Sequence, residues 1–199
     1  MTMRYEKGRK DASRQKILDV ASERFRTDGI AASGLAGIMK DAGLSNGAFY
    51  PHFPSKAALV QESVSAALQA QSLQIAELLQ SVGVAGMIDA YLSTQHRDDP
   101  GHGCASSALL PEIAREPGDT RALYTQGVMA LVDQLATELP AGMKDREGTA
   151  VAIYSTLIGA LELARAVEGE ELSQRILASA AAAAKALATL DIEPKEKLS

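Results

Sequence analysis

The sequence predicts an all-α protein, and three observations carry that prediction. Alanine, leucine, glutamate and arginine are abundant in its 199 residues while runs of valine, isoleucine and threonine are few, which favours helix over sheet. Apolar residues recur at helical spacing in segment after segment. Glycine, proline and serine fall between those segments, at the places where helices stop and restart. A hydrophobic content of 46% is enough for a proper core in one domain or two small ones.

The first helix is placed at 12–28, with Ile17, Leu18, Ala21 and Phe25 on one face and Arg14, Lys16, Glu23 and Arg26 largely off it. Gly29 stops it, since glycine takes the left-handed conformation without a Cβ penalty. Ser33 then caps a short second helix, GLAGIMKDA, whose Leu35, Ile38 and Met39 face inward. Gly43 and Leu44 form a turn, and Ser45 caps a third helix, NGAFY. Pro51 and Pro54 stop that helix, because proline disfavours the α conformation in the residue before it. Ser55 caps a long fourth helix running to about residue 81. Two short helices joined by a glycine-containing turn and braced by a longer one form a helix-turn-helix. The third helix begins with small and polar residues, which suits a major groove.

Beyond it a fifth helix is expected at 84–95, a polar loop at HRDDPGHG, and a sixth helix at CASSALLPEIARE, kinked or restarted at Pro111. A seventh runs about 118–138, an eighth about 145–167 and a ninth about 170–190; the tail 191–199 is polar and expected to fray. The segments VAIYSTLIGALELA and LASAAAAAKALATL are apolar beyond a single stripe and must be buried on more than one side. Gly159, Ala160 and Ala180–Ala184 permit close helix approach. Periodicity leaves open whether that burial lies within one chain or between two.

The net charge of −5 conceals an asymmetry. Residues 1–60 hold ten Lys and Arg against six Asp and Glu, whereas residues 61–199 hold ten against nineteen. A basic head on an acidic body fits a polyanionic partner for the head, or chance clustering of solvated charge. The start, MTMRYEKGRK, is not followed by an apolar stretch, so no signal peptide is expected, and no segment reaches the roughly 18 uncharged apolar residues of a membrane span. The single cysteine, Cys104, forbids an intramolecular disulfide and fits a reducing cytoplasm. No nucleophile elbow, phosphate-binding loop, dinucleotide fingerprint or zinc-protease motif is present, which argues against an enzyme. The pairs Asp98-Asp99 and Glu170-Glu171 are sequence neighbours that do not share a helix face, and they read as solvated charge.

Residues 33–59, SGLAGIMKDAGLSNGAFYPHFPSKAAL, combine a capped second helix, an A-G-hydrophobic-S turn, a G-x-F-Y recognition helix and an F-P-S-K start to the fourth helix. This combination resembles the DNA-binding core of the TetR family of bacterial transcriptional regulators, closely over about residues 12–60 and beyond that in length and helical pattern. The resemblance implies a three-helix DNA-binding domain at 1–54 with a basic N-terminal arm (Arg4, Lys7, Arg9, Lys10). It implies an effector-binding and dimerisation domain at 55–199, in a chain of about nine helices. A homodimer through the eighth and ninth helices would repress at a palindromic double-stranded operator and leave it when a small effector binds. No cofactor or metal is implied.

Within that frame Ser45, Asn46, Gly47 and Ala48 are the base-reading candidates. The Asn46 amide can pair bidentately with an adenine edge, Ala48 can pack on a thymine methyl, and Gly47 lets the backbone come close. Ser33, Tyr50, His52 and Lys56 are the phosphate-contact candidates, Ser33 and Lys56 because they lie near helix N-termini. Phe49 and Phe53, four apart, are expected to pack inward on Leu35, Ile38 and Phe25. Met87, Tyr91, Cys104, Leu109, Leu110, Tyr124, Met129 and Tyr154 are the candidate effector-pocket lining, for an apolar or mildly polar ligand. Each could equally be plain core. Cys104 offers an alternative, a redox- or electrophile-sensing thiol in place of a reversible pocket ligand. With His96 and His102 it supplies too few ligands for a closed zinc site.

Overall fold

A computed structural model describes residues 2–190, and every regular element among them is helical. They are α1 (Thr2–Asp28), α2 (Leu35–Asp41), a single 3₁₀ turn (Asn46–Ala48), α3 (Lys56–Tyr91), α4 (Thr94–Asp98), α5 (Ala105–Ile113), α6 (Gly118–Glu138), α7 (Arg146–Ala166) and α8 (Glu170–Leu187). The all-α fold is as the sequence predicts. The polar tail 191–199 lies outside the described residues. The side chains of Arg4, Lys7 and Arg9 do too, although the backbone there already belongs to α1.

Packing divides the chain into two compact units. The first runs to Leu68 and takes in Pro100–Tyr124; the second holds Gln69–Asp99 and the chain from Thr125 onward.

In the first unit α1 buries Ile17, Leu18, Ala21 and Phe25, the face its periodicity predicts. α2 packs on α1 and on the 3₁₀ turn, and α5 packs on α1. The end of α2 explains the helix-turn-helix corner. Gly43 has φ +66°, its N–H donates to the Lys40 carbonyl, and the Leu44 N–H donates to the Met39 carbonyl. That pair of bonds is the Schellman closure, and it satisfies two terminal carbonyls while turning the chain sharply.

In the second unit the later part of the long α3, from Gln69 on, contains one non-helical residue, Gly83, with φ 66° and ψ −175°. The break comes where the fourth and fifth predicted helices meet. Part of the predicted polar loop after it is helical: Ser93 caps α4 by accepting from the His96 N–H at 3.2 Å. α7 and α8 form an extensively packed pair, with Ile153, Tyr154, Leu157, Leu161, Leu177 and Ala184 buried. α7, at 21 residues, passes a length-and-composition test for crossing a bilayer, but charged residues such as Glu162 and Arg165 leave it without the uninterrupted uncharged run that a membrane span needs. Its buried residues instead pair it with α8.

Candidate nucleic-acid interface

The stretch from Ser45 to Lys56 builds one face of the head. Ser45, Asn46 and Gly47 are exposed and Ala48 is half-buried. The element is tighter than the short α-helix the sequence suggests. Ala48 N–H donates to the Ser45 carbonyl and Phe49 N–H to the Asn46 carbonyl, which is 3₁₀ bonding. The chain then turns through Tyr50 and Pro51, where the Phe49 carbonyl accepts from both the His52 and the Phe53 N–H, and no regular helix continues until α3. Ser45 occupies the N-cap position with extended backbone, but its hydroxyl accepts no capping bond.

Two aromatic rings hold this turn to the core. Phe49 and Phe53 are fully buried, with ring centroids 5.7 Å apart in a stacked arrangement. Tyr50 meets the Phe49 ring edge-on at 5.3 Å and is otherwise 69% exposed, so its hydroxyl is presented outward. The aromatic cluster thus sorts into two anchors and one surface donor.

The phosphate candidates fare differently. Ser33 is fully buried, and its hydroxyl donates to the Gly29 carbonyl at 2.7 Å and the Arg24 carbonyl at 3.2 Å. It does not cap α2, whose N-cap position is taken by Gly34 without any side-chain bond. Ser33 instead ties the turn between α1 and α2 together from inside. Lys56 is half-buried and its Nζ donates to the Ile30 carbonyl at 2.5 Å. Ser55 does cap α3, accepting from the Ala58 N–H at 3.1 Å.

His52 is half-buried beside cations that the sequence reading of the site did not include. Burial pushes its imidazole below the ordinary value, and the charges of Lys10 and Arg14 push it further the same way. Arg14 lies over the Phe53 ring at 4.7 Å and is paired with Glu62. The signal was present: Lys10 and Arg14 are four apart on α1, so they share a face.

The candidate effector residues divide between the units. In the first, Cys104 and Leu109 are buried, Leu110 is 40% exposed, and the Tyr124 hydroxyl lies 3.0 Å from that of Ser106. Burial raises the Tyr124 phenol above its ordinary value, against the hydrogen bond to Ser106. Cys104 is the N-cap residue of α5. In the second unit Met87, Tyr91 and Tyr154 are buried, while Met129 is 37% exposed. Leu110 and Met129 are therefore partly surface residues. A surface cleft of about 260 Å³ in the second unit is lined by other residues, among them Arg97, Arg165, Glu170 and Ser173. Arg97 there is held by Asp98, Glu170 and Ser173, and Arg165 donates to the carbonyls of His96 and Arg97. Among the described residues no group of three or more His, Cys, Asp and Glu converges as a metal site.

Comparison with known proteins bears on the whole of this architecture. The model of the bacterial regulatory proteins of the tetR family matches residues 17–63. No curated protein matches the chain significantly. Among solved structures, the reduced form of E. coli NemR superposes with a TM-score of 0.74 at 23% identity, covering 88% of this chain and 96% of that one. A TetR-family transcriptional regulator from Agrobacterium tumefaciens gives 0.71 at 23% identity, over 87% of this chain and 98% of that one. One from Cytophaga hutchinsonii gives 0.75 at 18% identity, over 94% and 98%. Residues 17–63 thus match the model of the tetR family of bacterial regulatory proteins, and the chain as a whole shares the fold of these solved structures.

Proposed function

We propose that the chain is a ligand-responsive repressor that binds a palindromic operator as a homodimer and leaves it when a small effector binds. The single observation that carries the reading is the exposed Ser45–Gly47 edge of a turn anchored by the buried Phe49 and Phe53. Such an edge enters a major groove, with Asn46 and Ala48 facing bases. Tyr50, His52, Lys10 and Arg14 surround it as phosphate donors, and they supply the sequence-independent part of the affinity. Two such turns in a dimer occupy successive major grooves roughly 34–36 Å apart. An effector that alters this separation by a few kcal/mol of coupling releases the operator. The DNA partner places this work in the cytoplasm.

The dimer surface of this reading is the α7–α8 face. Val151, Ser155, Gly159 and Leu163 recur every fourth residue on α7 and are all exposed, with Val151 at 44% and Leu163 at 57%. On α8, Leu172, Ser179, Ala182, Ala183 and Ala186 are exposed as well. Small and apolar residues in rows on two paired helices suit a four-helix interface between two copies.

Selection of duplexes from a randomised pool by the purified protein tests the function. Recovery of one inverted repeat whose affinity falls steeply with salt supports it. Recovery of no common sequence would overturn it.

A second reading works through Cys104. It stands buried at the N-cap of α5, two residues before the Ser106 to which Tyr124 is hydrogen-bonded. One similar structure is the reduced form of its protein, which makes a redox response worth testing here. Operator affinity that is unchanged after complete alkylation of Cys104 eliminates this version.

A further inference from the structure

We propose that Glu112 is a positioning residue for the DNA-reading head, and that it makes the pose of that head depend on the position of α5. The inference rests on the DNA-binding reading above. Glu112 lies in the last turn of α5 and reaches back more than eighty residues along the chain. Its Oε2 accepts the Ile30 N–H at 3.2 Å and its Oε1 accepts the Ala31 N–H at 3.1 Å. Both oxygens of one carboxylate are therefore used on two successive backbone amides. Bonds to an ionised acceptor are about twice as strong as neutral ones.

The turn so held is the link between α1 and α2. The peptide joining Ile30 to Ala31 is gripped at both ends: its N–H by Glu112 from α5, its carbonyl by Lys56 from the start of α3. Gly29 lies directly beneath the carboxylate, where an added Cβ would stand 3.3 Å from Oε2. The Gly29 carbonyl in turn receives both the N–H and the hydroxyl of Ser33, the buried residue two before α2. A set of hydrogen bonds thus runs from α5 through the turn to Ser33, two residues before α2, and α2 packs on the 3₁₀ turn that presents Asn46.

The other end of α5 is tied down too. Arg26 on α1 donates through Nε to the Gly101 carbonyl at 2.6 Å, just ahead of α5. Between these two attachments stand Cys104 and Ser106, with Tyr124 bonded to Ser106. A change at those residues that shifts α5 must stretch or release the Glu112 carboxylate from its two amides. The pose of α2 and of the reading turn then loosens.

The test uses the full chain in three forms: wild type, Glu112→Ala and Glu112→Gln. Binding is measured to the duplex recovered from the randomised pool and to a random-sequence duplex of equal length. Amide exchange at Ile30 and Ala31 is followed in parallel. Glu112→Ala is expected to lower affinity for the selected duplex about tenfold, the scale expected when a charged acceptor is withdrawn from its donors. Affinity for random duplex should stay unchanged, because the phosphate donors are untouched. Glu112→Gln keeps one carbonyl acceptor in nearly the same shape and should recover part of the loss. If Glu112→Ala does not fold, the same comparison on Glu112→Gln decides. Faster exchange at both amides with unaltered discrimination between duplexes would overturn the proposal, as would an equal loss on both duplexes. Wild type that binds neither duplex in a salt-dependent way would instead overturn the DNA-binding reading itself.

Discussion

The Lys56 ammonium sits 2.5 Å from the Ile30 carbonyl oxygen, joining the first residue of α3 to the turn that precedes α2. A lysine at that place in the sequence reads as a phosphate contact, and in the DNA-free head it acts as a strut. Both roles can be measured on one variant. Lys56→Ala is expected to cost about 1 kcal/mol of stability in urea denaturation, a low figure for a charged hydrogen bond because the group is half-buried. If Lys56 also exchanges Ile30 for a phosphate on DNA, the variant's salt slope falls by about one counterion. A stability loss with an unchanged slope would confine Lys56 to the strut.

Asn46 is exposed at the start of the 3₁₀ turn, and among the described residues no hydrogen bond engages its side-chain amide. Asn46→Ala should therefore leave the melting temperature within error while costing roughly 1–3 kcal/mol on the preferred operator. The loss should be confined to one base pair of each half-site when single-site operator variants are compared. A uniform loss across all variants would show Asn46 to be a backbone contact.

Helix positions, the inward faces and the two buried phenylalanines were legible because each follows from local periodicity and breaker chemistry. Phe49 and Phe53 lie four apart between prolines and could only point one way. The errors arose where a side chain had two available partners. Ser33 precedes an apolar helical run and reads as a cap, yet its hydroxyl turns to the carbonyls of Arg24 and Gly29, which no local pattern announces. NGAFY reads as helix, but with Pro51 so close its regular part is a single 3₁₀ turn, followed by one isolated α-type bond from the Phe53 N–H to the Phe49 carbonyl. Glu112 was invisible for a third reason: its partners are backbone amides more than eighty residues away, and sequence patterns carry no trace of such a contact.

His96 sets a pH dependence in the second unit. Burial pushes its imidazole below the ordinary value and Arg165 adds to this, while the hydrogen bond to the Tyr91 carbonyl and the charge of Asp99 oppose it. Its Nδ1 lies 2.7 Å from that carbonyl and so carries the proton of the neutral ring. The unfolded chain takes up a proton near pH 6.5, whereas the folded chain does so only lower. Stability from this group is thus present above about pH 6.5 and is lost as pH falls towards the lowered folded value. His52 adds a slope of the same sign, so the informative quantity is a difference between parent and variant. His96→Gln should flatten the fall in urea midpoint between about pH 7 and pH 5.5, a window that starts just above the free histidine value and runs below it. An identical slope in both proteins would remove His96 from the account.

Gly83 interrupts α3 with φ 66° and ψ −175°, a combination that only glycine adopts readily. An added Cβ there would meet no atom within 4 Å, so any penalty is conformational and not steric. Gly83→Ala is expected to cost about 1–3 kcal/mol in urea unfolding, the strain of holding a side chain in that region. A stabilised variant with higher helicity by circular dichroism would mean that the helix straightens through this point at little cost.

Gly159 stands on the exposed row of α7 between Ser155 and Leu163, and a Cβ placed on it meets nothing within 4 Å in the single chain. An exposed glycine inside a helix costs about 1 kcal/mol relative to alanine, so an isolated chain gains nothing by keeping it. Close approach of a second helix would give it a purpose, since the missing side chain lets two backbones come together. Gly159→Ala should then stabilise the monomer while weakening the dimer, and Gly159→Glu should abolish the dimer by burying a charge against its own copy. Sedimentation reads the assembly, circular dichroism reads the fold, and operator binding reads the consequence. A helical Gly159→Glu protein that sediments as a monomer and loses its operator, while keeping weak binding to random DNA, places the dimer at α7. If it remains a dimer with full operator affinity, the two copies meet elsewhere.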